Sequence, residues 1–273
     1  MDYRLAGDPL PGRVLVTGAA GRIGSTLRHA WRGTFPALRL TDVRRLGRAR
    51  SGEELVRADL ADSRQALEVA ADVDVIVHLA AIPHEDAFER LVDANVVATH
   101  NVFEAARRHA VRRVVFASTS HVTGFYGSDE RIGADVPVRP DTLYGATKAF
   151  GEAVGRLYAD KFGLEVICVR IGAFGEQPRN RPALSMWLSP RDAAQLFGRA
   201  VLAPDVGFLI VYGASRTSHP YWDDADAAAR LGYEPEDDAD GFAAGVLARH
   251  AETDDRFQGG KFALPEYHGE DAR

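Results

Sequence analysis

A tyrosine and a lysine four residues apart are the side chains of this sequence best suited to chemistry. Tyr144 and Lys148 lie near the start of a predicted helix over 143–162. Residues at i and i+4 share one helix face, and a nearby ammonium stabilises a phenolate. Such a tyrosine can accept a proton from a substrate hydroxyl while a hydride leaves the carbon. Only three of the 273 residues are lysine, so a lysine at this position is informative.

Two further polar side chains precede this pair and are candidates for the same chemistry. Thr119 follows the predicted strand 113–118, where a hydroxyl can hydrogen-bond to the reacting oxygen and orient it. Serine and threonine are common at strand ends, so a purely structural role stays open for it. Asn95 lies inside the helical run 88–109, and a buried asparagine needs hydrogen-bonding partners. It could link a backbone-bound water to Lys148, or it could lie on the surface.

A glycine-rich turn separates the first predicted strand from the first predicted helix. Gly18, Gly21 and Gly24 have the spacing GxxGxxG, after a strand over 14–17 and at the opening of a helix over 23–31. Glycines let the backbone turn tightly and approach a pyrophosphate, whose charge is stabilised at the helix N-terminus. Glycine triplets alone are weak evidence, but the order strand, triplet, helix is the one that a dinucleotide site requires.

Acidic residues at the ends of the next two strands refine the choice of dinucleotide. Asp42 ends the second predicted strand, where a carboxylate accepts hydrogen bonds from the adenosine ribose and repels a 2′-phosphate. This position predicts NAD as the cofactor in preference to NADP. Arg44 and Arg45 follow at once and could soften that preference. Asp59, after the third predicted strand, could contact the adenine edge.

These residues are positioned by an alternation of strands and helices over the first two-thirds of the chain. Continuous apolar runs predict strands buried on both faces. The predicted strands are 14–17, 38–42, 55–58, 73–79, 113–118, 165–171 and 208–212, and the predicted helices are 23–31, 63–71, 88–109 and 143–162. We therefore predict an α/β fold: a doubly wound, Rossmann-type parallel sheet over 1–172, to which strand 208–212 returns, and a small C-terminal substrate-capping region over 173–273.

Composition excludes several other classes of protein. The net charge of −6 argues against a nucleic-acid partner, because phosphate backbones require a basic face. Cys168 is the single cysteine, so a disulfide framework or a multi-cysteine zinc site is excluded, and the histidines lack metal-ligand spacing. No run approaches the ~18 apolar residues of a membrane span, and residues 1–12 lack a signal-peptide pattern. We expect no metal, no membrane contact and a cytoplasmic location.

Taken together, these motifs resemble the extended short-chain dehydrogenase/reductase superfamily, the NAD-dependent epimerases and dehydratases. The residues that carry the resemblance are Gly18, Gly21, Gly24, Asp42, His78-Leu79-Ala80-Ala81, Asn95, Thr119, Tyr144 and Lys148. The resemblance implies a cofactor site formed by Gly18, Gly21, Arg22, Ile23, Gly24, Asp42, Asp59, Leu60, Leu79, Ala80, Ala81, Asn95, Ser118, Tyr144, Lys148 and Ile171. It also implies a homo-oligomer formed through helices 88–109 and 143–162.

Within this superfamily the chain resembles the uronate dehydrogenases most. The segments that carry this closer resemblance include Val115-Phe116-Ala117-Ser118, Arg139-Pro140-Asp141, Trp187-Leu188-Ser189, Tyr212-Gly213-Ala214-Ser215 and Arg256-Phe257-Gln258-Gly259-Gly260. Those enzymes oxidise the anomeric carbon of glucuronate or galacturonate with NAD, giving an aldarolactone. The resemblance implies Tyr144 as the base, Lys148 as the group that tunes its pKa, and Thr119 as the hydroxyl partner. The implied sugar-binding residues are Thr119, Ser120, His121, Tyr144 and Arg181.

The sequence departs from the uronate dehydrogenases at the sugar end. Those enzymes have Ser-Asn-His where this chain has Thr119-Ser120-His121, and a serine in the loop where this chain has Ile82-Pro83-His84. Their carboxylate-binding arginine aligns with Pro182, which directly follows Arg181 and comes three residues after Arg179, so Arg181 could serve after a one-residue shift.

Three alternatives stay open. The substrate could be a neutral or phosphorylated aldose. The enzyme could act on a nucleotide-sugar as an epimerase or dehydratase, although the remaining C-terminal part looks small for that. The chain could also be a non-catalytic dinucleotide sensor, against which Tyr144 and Lys148 argue.

Overall fold

Seven parallel strands form the central sheet of the molecule. The computed structural model describes residues 10–223, 225–249 and 256–265, so most of segment 1–12 lies outside the described residues, as do parts of 173–273. The strands are β1 (Arg13–Thr17), β2 (Ala37–Asp42), β3 (Glu53–Arg57), β4 (Val75–His78), β5 (Arg113–Thr119), β6 (Glu165–Ile171), β7 (Ala173–Phe174), β8 (Trp187–Leu188) and β9 (Phe208–Gly213).

The strand order is β3-β2-β1-β4-β5-β6-β9, and β7 pairs with β8 in a separate small sheet. The order reverses between β1 and β4, which is where open α/β sheets place a ligand-binding crevice at their carboxyl ends. The predicted doubly wound parallel sheet is confirmed.

Helices cover both faces of the sheet, and the strands divide their side chains between two cores. The helices are α1 (Arg22–Ala30), α2 (Ser63–Ala70), α3 (Phe88–Leu91), α4 (Ala98–Arg108), α5 (Leu143–Phe162), α6 (Arg181–Leu184), α7 (Pro190–Leu202), α8 (Ala225–Leu231) and α9 (Ala243–Arg249). Alternate residues of β1, Val14 and Val16, pack with α1 and α7, whereas Leu15 packs with α2 and α4. Burial of alternate residues on both faces explains why the strands are apolar without interruption.

The helical run 88–109 is interrupted by a wider turn. Residues Val92–Val97 form a π-helical segment between α3 and α4. A π turn inserts one extra residue into a helix, and such insertions are frequent at functional sites. The sequence predicts one regular helix here, which is wrong, and the inserted turn brings Asn95 inward, where it is fully buried.

The chain after β6 contributes to both the sheet and the cover of its carboxyl edge. Segment 256–265 returns to this edge, where the buried side chain of Gln258 helps to attach it. Its amide nitrogen donates to the carbonyl oxygens of Gly127 and Glu130, at 3.3 and 3.0 Å, and its amide oxygen accepts from Trp222 at 3.2 Å. Within the described residues, no helix combines the length and apolar character needed to cross a bilayer.

Candidate active site

One large cavity lies over the carboxyl ends of the parallel strands. Its volume is about 1740 Å³, and it is lined by residues that follow β1, β2, β4, β5 and β6. The predicted site residues that line it are Gly18, Gly21, Arg22, Ile23, Gly24, Asp42, Asp59, Leu60, Leu79, Ala80, Ala81, Ser118, Thr119, Ser120, His121, Tyr144, Lys148 and Ile171. Asn95 and Arg181 do not line it.

The glycine turn forms a cradle of backbone with no room for side chains. Gly18 has φ +65°, and a Cβ there would lie 2.7 Å from the backbone nitrogen of Ala80. A Cβ on Gly24 would overlap the carbonyl oxygen of Gly18. Gly21 begins α1 without a side-chain cap, so the amide groups of the first turn remain open to the cavity. Such a helix start binds a pyrophosphate, so the residues present fit a dinucleotide.

A carboxylate and an unpartnered hydroxyl stand at the far end of the cradle. The side chain of Asp42 is 5% exposed and accepts a hydrogen bond from the backbone nitrogen of Ala20 at 2.9 Å. Thr41, which lines the same end, has a buried hydroxyl without a hydrogen-bond partner. Asp59 also lines this end and is exposed. Because buried polar groups are normally paired, the Thr41 hydroxyl is consistent with an end built to receive a polar ligand.

A buried histidine fixes the strand end beneath the cradle. His78 lies within hydrogen-bond distance of the hydroxyls of Thr17, at 2.8 Å, and Thr99, at 3.2 Å. The Thr17 hydroxyl also accepts from the backbone nitrogens of Leu79 and Ala80, each at 3.1 Å. Burial lowers the pKa of His78 to about 3, so this histidine is neutral and acts as a structural clamp.

Tyr144 is positioned by the first turn of α5. The side chain of Thr142 caps this helix, accepting from the backbone nitrogen of Gly145 at 2.9 Å. The carboxylate of Glu85, in the loop after β4, accepts from the backbone nitrogens of Leu143 and Tyr144 at 3.1 and 3.0 Å. An acidic group at a helix N-terminus satisfies open amides and the helix dipole. Sequence reasoning missed Glu85, because nothing in its neighbourhood marks it as a distant cap.

Tyr144, Lys148 and Thr119 lie together in the cavity, and all three are buried. Burial raises the pKa of Tyr144 to about 12, while hydrogen bonding to Thr119 acts in the opposite direction. Burial also lowers the pKa of Lys148 to about 7, and its Nζ lies 4.8 Å from the centre of the Phe116 ring. The predicted lowering of the tyrosine pKa is therefore not seen in this structure, because burial outweighs the influence of its neighbours.

Asn95 is buried in the helical run and hydrogen-bonded to other parts of the protein. Its side-chain oxygen accepts from the backbone nitrogen of Ile82 at 2.8 Å. Its amide nitrogen donates to the Ile82 carbonyl and to the Thr147 hydroxyl, both at 3.1 Å. The side chain is thus used within the protein, and it ties the loop after β4 to the helix that carries Lys148. The predicted burial of Asn95 with hydrogen-bonding partners is therefore seen, and its predicted place in the cofactor site stays a prediction.

A histidine and a buried aspartate form a pair at the opposite end of the cavity. The Nδ1 atom of His121 lies 2.9 and 3.0 Å from the carboxylate oxygens of Asp141, whose side chain is fully buried. A Cβ on Gly124 or Gly259 would overlap that carboxylate, so both glycines leave room for it. The ring packs edge-on against Phe262, with 4.8 Å between centroids. Nδ1 is committed, which leaves Nε2 for a ligand.

The arginine prediction at this end requires correction. Arg181 begins α6 and does not line the cavity, whereas Arg179, Asn180 and Pro182 do. The side chain of Asn180 caps the helix by accepting from Ala183 at 3.0 Å, which fixes where the helical turn starts. Successive residues of a helix point about 100° apart, so Arg181 and Pro182 face different directions. Among the residues the structure describes, no group of three histidine, cysteine or acidic side chains could hold a metal.

The backbone cradle, the acidic strand end and the buried Tyr144–Lys148 pair define a dinucleotide-dependent enzyme of the Rossmann type. The sequence profile of the NAD dependent epimerase/dehydratase family matches residues 14–188, and the chain belongs to that family.

Individual relatives show which members of this family the chain resembles. Uronate dehydrogenase of Pseudomonas putida is 42% identical over 257 residues, covering 92% of this chain and 96% of the relative. The crystal structure of a glucuronic acid dehydrogenase from Chromohalobacter salexigens is 36% identical, with a TM-score of 0.91, and the match covers 96% and 100% of the two chains. A variant of uronate dehydrogenase from Agrobacterium tumefaciens, complexed with NAD, is 40% identical, with a TM-score of 0.89 over 93% and 98%. The predicted resemblance to uronate dehydrogenases is confirmed.

Proposed function

We propose that this protein is an NAD-dependent uronate dehydrogenase. It oxidises the anomeric carbon of a cyclic glucuronate or galacturonate to an aldarolactone. The observation that carries this proposal is the position of Tyr144, Thr119 and Lys148, buried together in a cavity that continues into the glycine cradle. The similarity to proteins named uronate dehydrogenase, over more than nine-tenths of both chains, supports the choice of reaction.

The residues that would hold NAD are distributed along the cradle. Gly18 to Gly24 would receive the pyrophosphate, Asp42 the adenosine ribose and Lys148 the nicotinamide ribose. When bound, NAD supplies an acceptor for the hydride that leaves the sugar. One of the similar solved structures is the uronate dehydrogenase variant complexed with NAD, which supports this cofactor.

The chain's own residues then handle the proton. The anomeric hydroxyl lies between Thr119 and Tyr144, and the phenol oxygen of Tyr144 accepts its proton as the carbon–hydrogen bond breaks. Because burial raises the pKa of Tyr144 to about 12, the phenolate form needs a compensating charge. Lys148, one helical turn away on the same face of α5, supplies it. Both side chains are nearly inaccessible to water, which strengthens this electrostatic coupling.

Arg179 is the arginine that we assign to the sugar carboxylate, in place of Arg181. It lines the cavity, its side chain is exposed, and it forms no ion pair with any residue in the described part of the chain. A guanidinium binds a carboxylate through two parallel hydrogen bonds, so a single well-placed arginine is sufficient. His121 and Ser120, on the loop after β5, would contact the sugar hydroxyls.

A second candidate substrate is a neutral or phosphorylated aldose. The observation that favours it is Pro182 on the cavity wall, with Arg181 outside, because a proline side chain offers no donor to a carboxylate. This candidate keeps the same chemistry at Tyr144 and changes only the far end of the sugar.

One assay separates these candidates. The protein is mixed with NAD and a panel of uronates, neutral aldoses, hexose phosphates and nucleotide-sugars, and the absorbance of reduced nicotinamide is followed. Turnover of glucuronate or galacturonate, and its loss on Arg179→Ala but not on Arg181→Ala, is the expected outcome. Turnover confined to neutral or phosphorylated sugars supports the second candidate. Absence of turnover with every free sugar refutes both.

We also propose a cytoplasmic homodimer. Leu143, Phe150 and Leu157 lie seven residues apart on α5, and each is at least 36% exposed, as is Val97 beside α4. Such a stripe lies on one helix face and is suited to pack against a second copy. Sedimentation of the unaltered protein as a dimer, and of Leu157→Glu as a monomer, is expected.

A further inference from the structure

The carboxylate of Asp42, which is expected to bind the adenosine ribose, is already hydrogen-bonded to a neighbouring arginine. Arg44 follows Asp42 by two residues and folds back onto it. Its backbone nitrogen and its Nε donate to Oδ1 of Asp42 at 2.9 and 3.2 Å, and its Nη2 approaches Oδ2 at 3.5 Å. Ala20 donates to the same Oδ2 at 2.9 Å. Asp42 thus has four donors around its two oxygens.

A carboxylate offers about four acceptor positions, so Asp42 has none left for a ribose. The ribose hydroxyls must therefore displace the Arg44 side chain, which is 62% exposed and can move at little cost. Arg44 also stands over the cofactor cradle: its Nη2 lies 3.9 Å from the position that a Cβ of Gly21 would take. The displaced guanidinium stays at the rim of the ribose site, because its own backbone is bonded to Asp42.

We infer that Arg44 allows this site to bind 2′-phosphorylated dinucleotides as well as NAD. An unpaired Asp42 would repel a 2′-phosphate, whereas the Asp42–Arg44 pair has no net charge and its arginine can turn to bind the phosphate in a bidentate manner. Asp59, the other carboxylate at this end, caps a turn by accepting from the backbone nitrogen of Ala61 at 3.0 Å. The inference rests on the proposed use of a dinucleotide, and it extends that proposal from NAD to NADP.

The test measures binding of fragments and needs no sugar. ADP-ribose and 2′-phospho-ADP-ribose are titrated by calorimetry into the unaltered protein, into Arg44→Ala and into Arg45→Ala. We expect the unaltered protein to bind the two fragments within about tenfold of each other. In Arg44→Ala the 2′-phosphorylated fragment should bind at least about tenfold more weakly, while ADP-ribose binds equally or more tightly.

Arg45→Ala is the matched control, because Arg45 is exposed, adjacent in sequence and absent from the cavity wall. It should leave the ratio of the two affinities unchanged. The inference is overturned if the unaltered protein binds the 2′-phosphorylated fragment more than about a hundredfold more weakly than ADP-ribose. It is also overturned if Arg44→Ala leaves the ratio unchanged. Neither outcome bears on whether uronates are oxidised, which the sugar panel decides separately.

Discussion

The two ends of the cavity are built from different kinds of structure. The cofactor end is formed by backbone at the ends of central strands, where Gly18 and Gly24 leave no space for a side chain. The opposite end is formed by side chains on connecting segments, such as His121 and Phe262. Backbone geometry is dictated by glycine spacing and strand order, whereas side-chain geometry depends on which distant segments meet. The first end can therefore be read from sequence, and the second cannot.

Replacing the base should disable chemistry while leaving both ends intact. Tyr144→Phe removes the group that we assign to accept the anomeric proton, so we expect kcat to fall by about 10²- to 10⁴-fold. Binding of ADP-ribose, measured by calorimetry, should not change, because the cradle is separate from the phenol. Retention of near-normal turnover by Tyr144→Phe would falsify the assigned mechanism.

A single added methyl group should disrupt the cofactor end, because that end is formed by closely packed backbone. Gly18→Ala places a Cβ 2.7 Å from the nitrogen of Ala80 at φ +65°, so we expect ADP-ribose affinity to fall by more than about tenfold and stability to fall by about 1–3 kcal/mol. Gly33→Ala is the matched control, since Gly33 has φ +72° but nothing within 4 Å. It should cost about 1 kcal/mol of stability without changing affinity. Equal losses of ADP-ribose affinity in both variants would show that backbone strain, and not the contact with Ala80, determines the affinity.

The burial of Lys148 should lower the free energy of unfolding by an amount that depends on pH. Its pKa is about 7 in the folded protein against an ordinary 10.5. Between these two pH values the unfolded chain binds more protons than the folded protein does. The free energy of unfolding therefore rises with pH across this window. The destabilisation caused by burying the charged lysine is fully present below about pH 7. Lys148→Met removes this cost, which is at most about 5 kcal/mol, and abolishes activity.

The measurement is thermal unfolding of both proteins from pH 6 to about pH 10. Lys148→Met should melt at a higher temperature at pH 7, and the difference should narrow as the pH rises. Lys161→Met, at an exposed position of the same helix, is the control and should show no such trend. A constant difference at every pH would contradict a charge-based cost.

The smallest effect is expected at the sugar end. Asp141→Asn loosens His121 without removing it, so kcat/KM for the sugar should fall about tenfold, through KM more than kcat. ADP-ribose affinity should stay the same, which separates positioning of the sugar from general damage. Asp93→Asn, at an exposed position of the π turn, is the control. A parallel loss of ADP-ribose affinity would remove the distinction between the two ends.

The contrast between the ends also explains what sequence reasoning reached and what it missed. The strands of the sheet followed from apolar runs, and GxxGxxG placed the cradle, because both are local patterns that can be recognised in the sequence. The π turn escaped detection, since one inserted residue alters helical periodicity too little to see. The Glu85 cap and the His121–Asp141 pair join residues 20 or more positions apart, at 3.1 Å and 2.9 Å, and no local signal marks them.

The wall around the sugar has a consequence for the evolution and engineering of this chain. Arg179 and Phe262 lie on the described segments 175–180 and 256–265, which contribute no strand to the seven-stranded sheet and no residue to its two main cores. Substitutions on these segments can therefore change which sugar is accepted while the free energy of unfolding is nearly constant. Selection for a new substrate can proceed without first gaining excess stability, and a laboratory library confined to these segments should retain a high fraction of folded members.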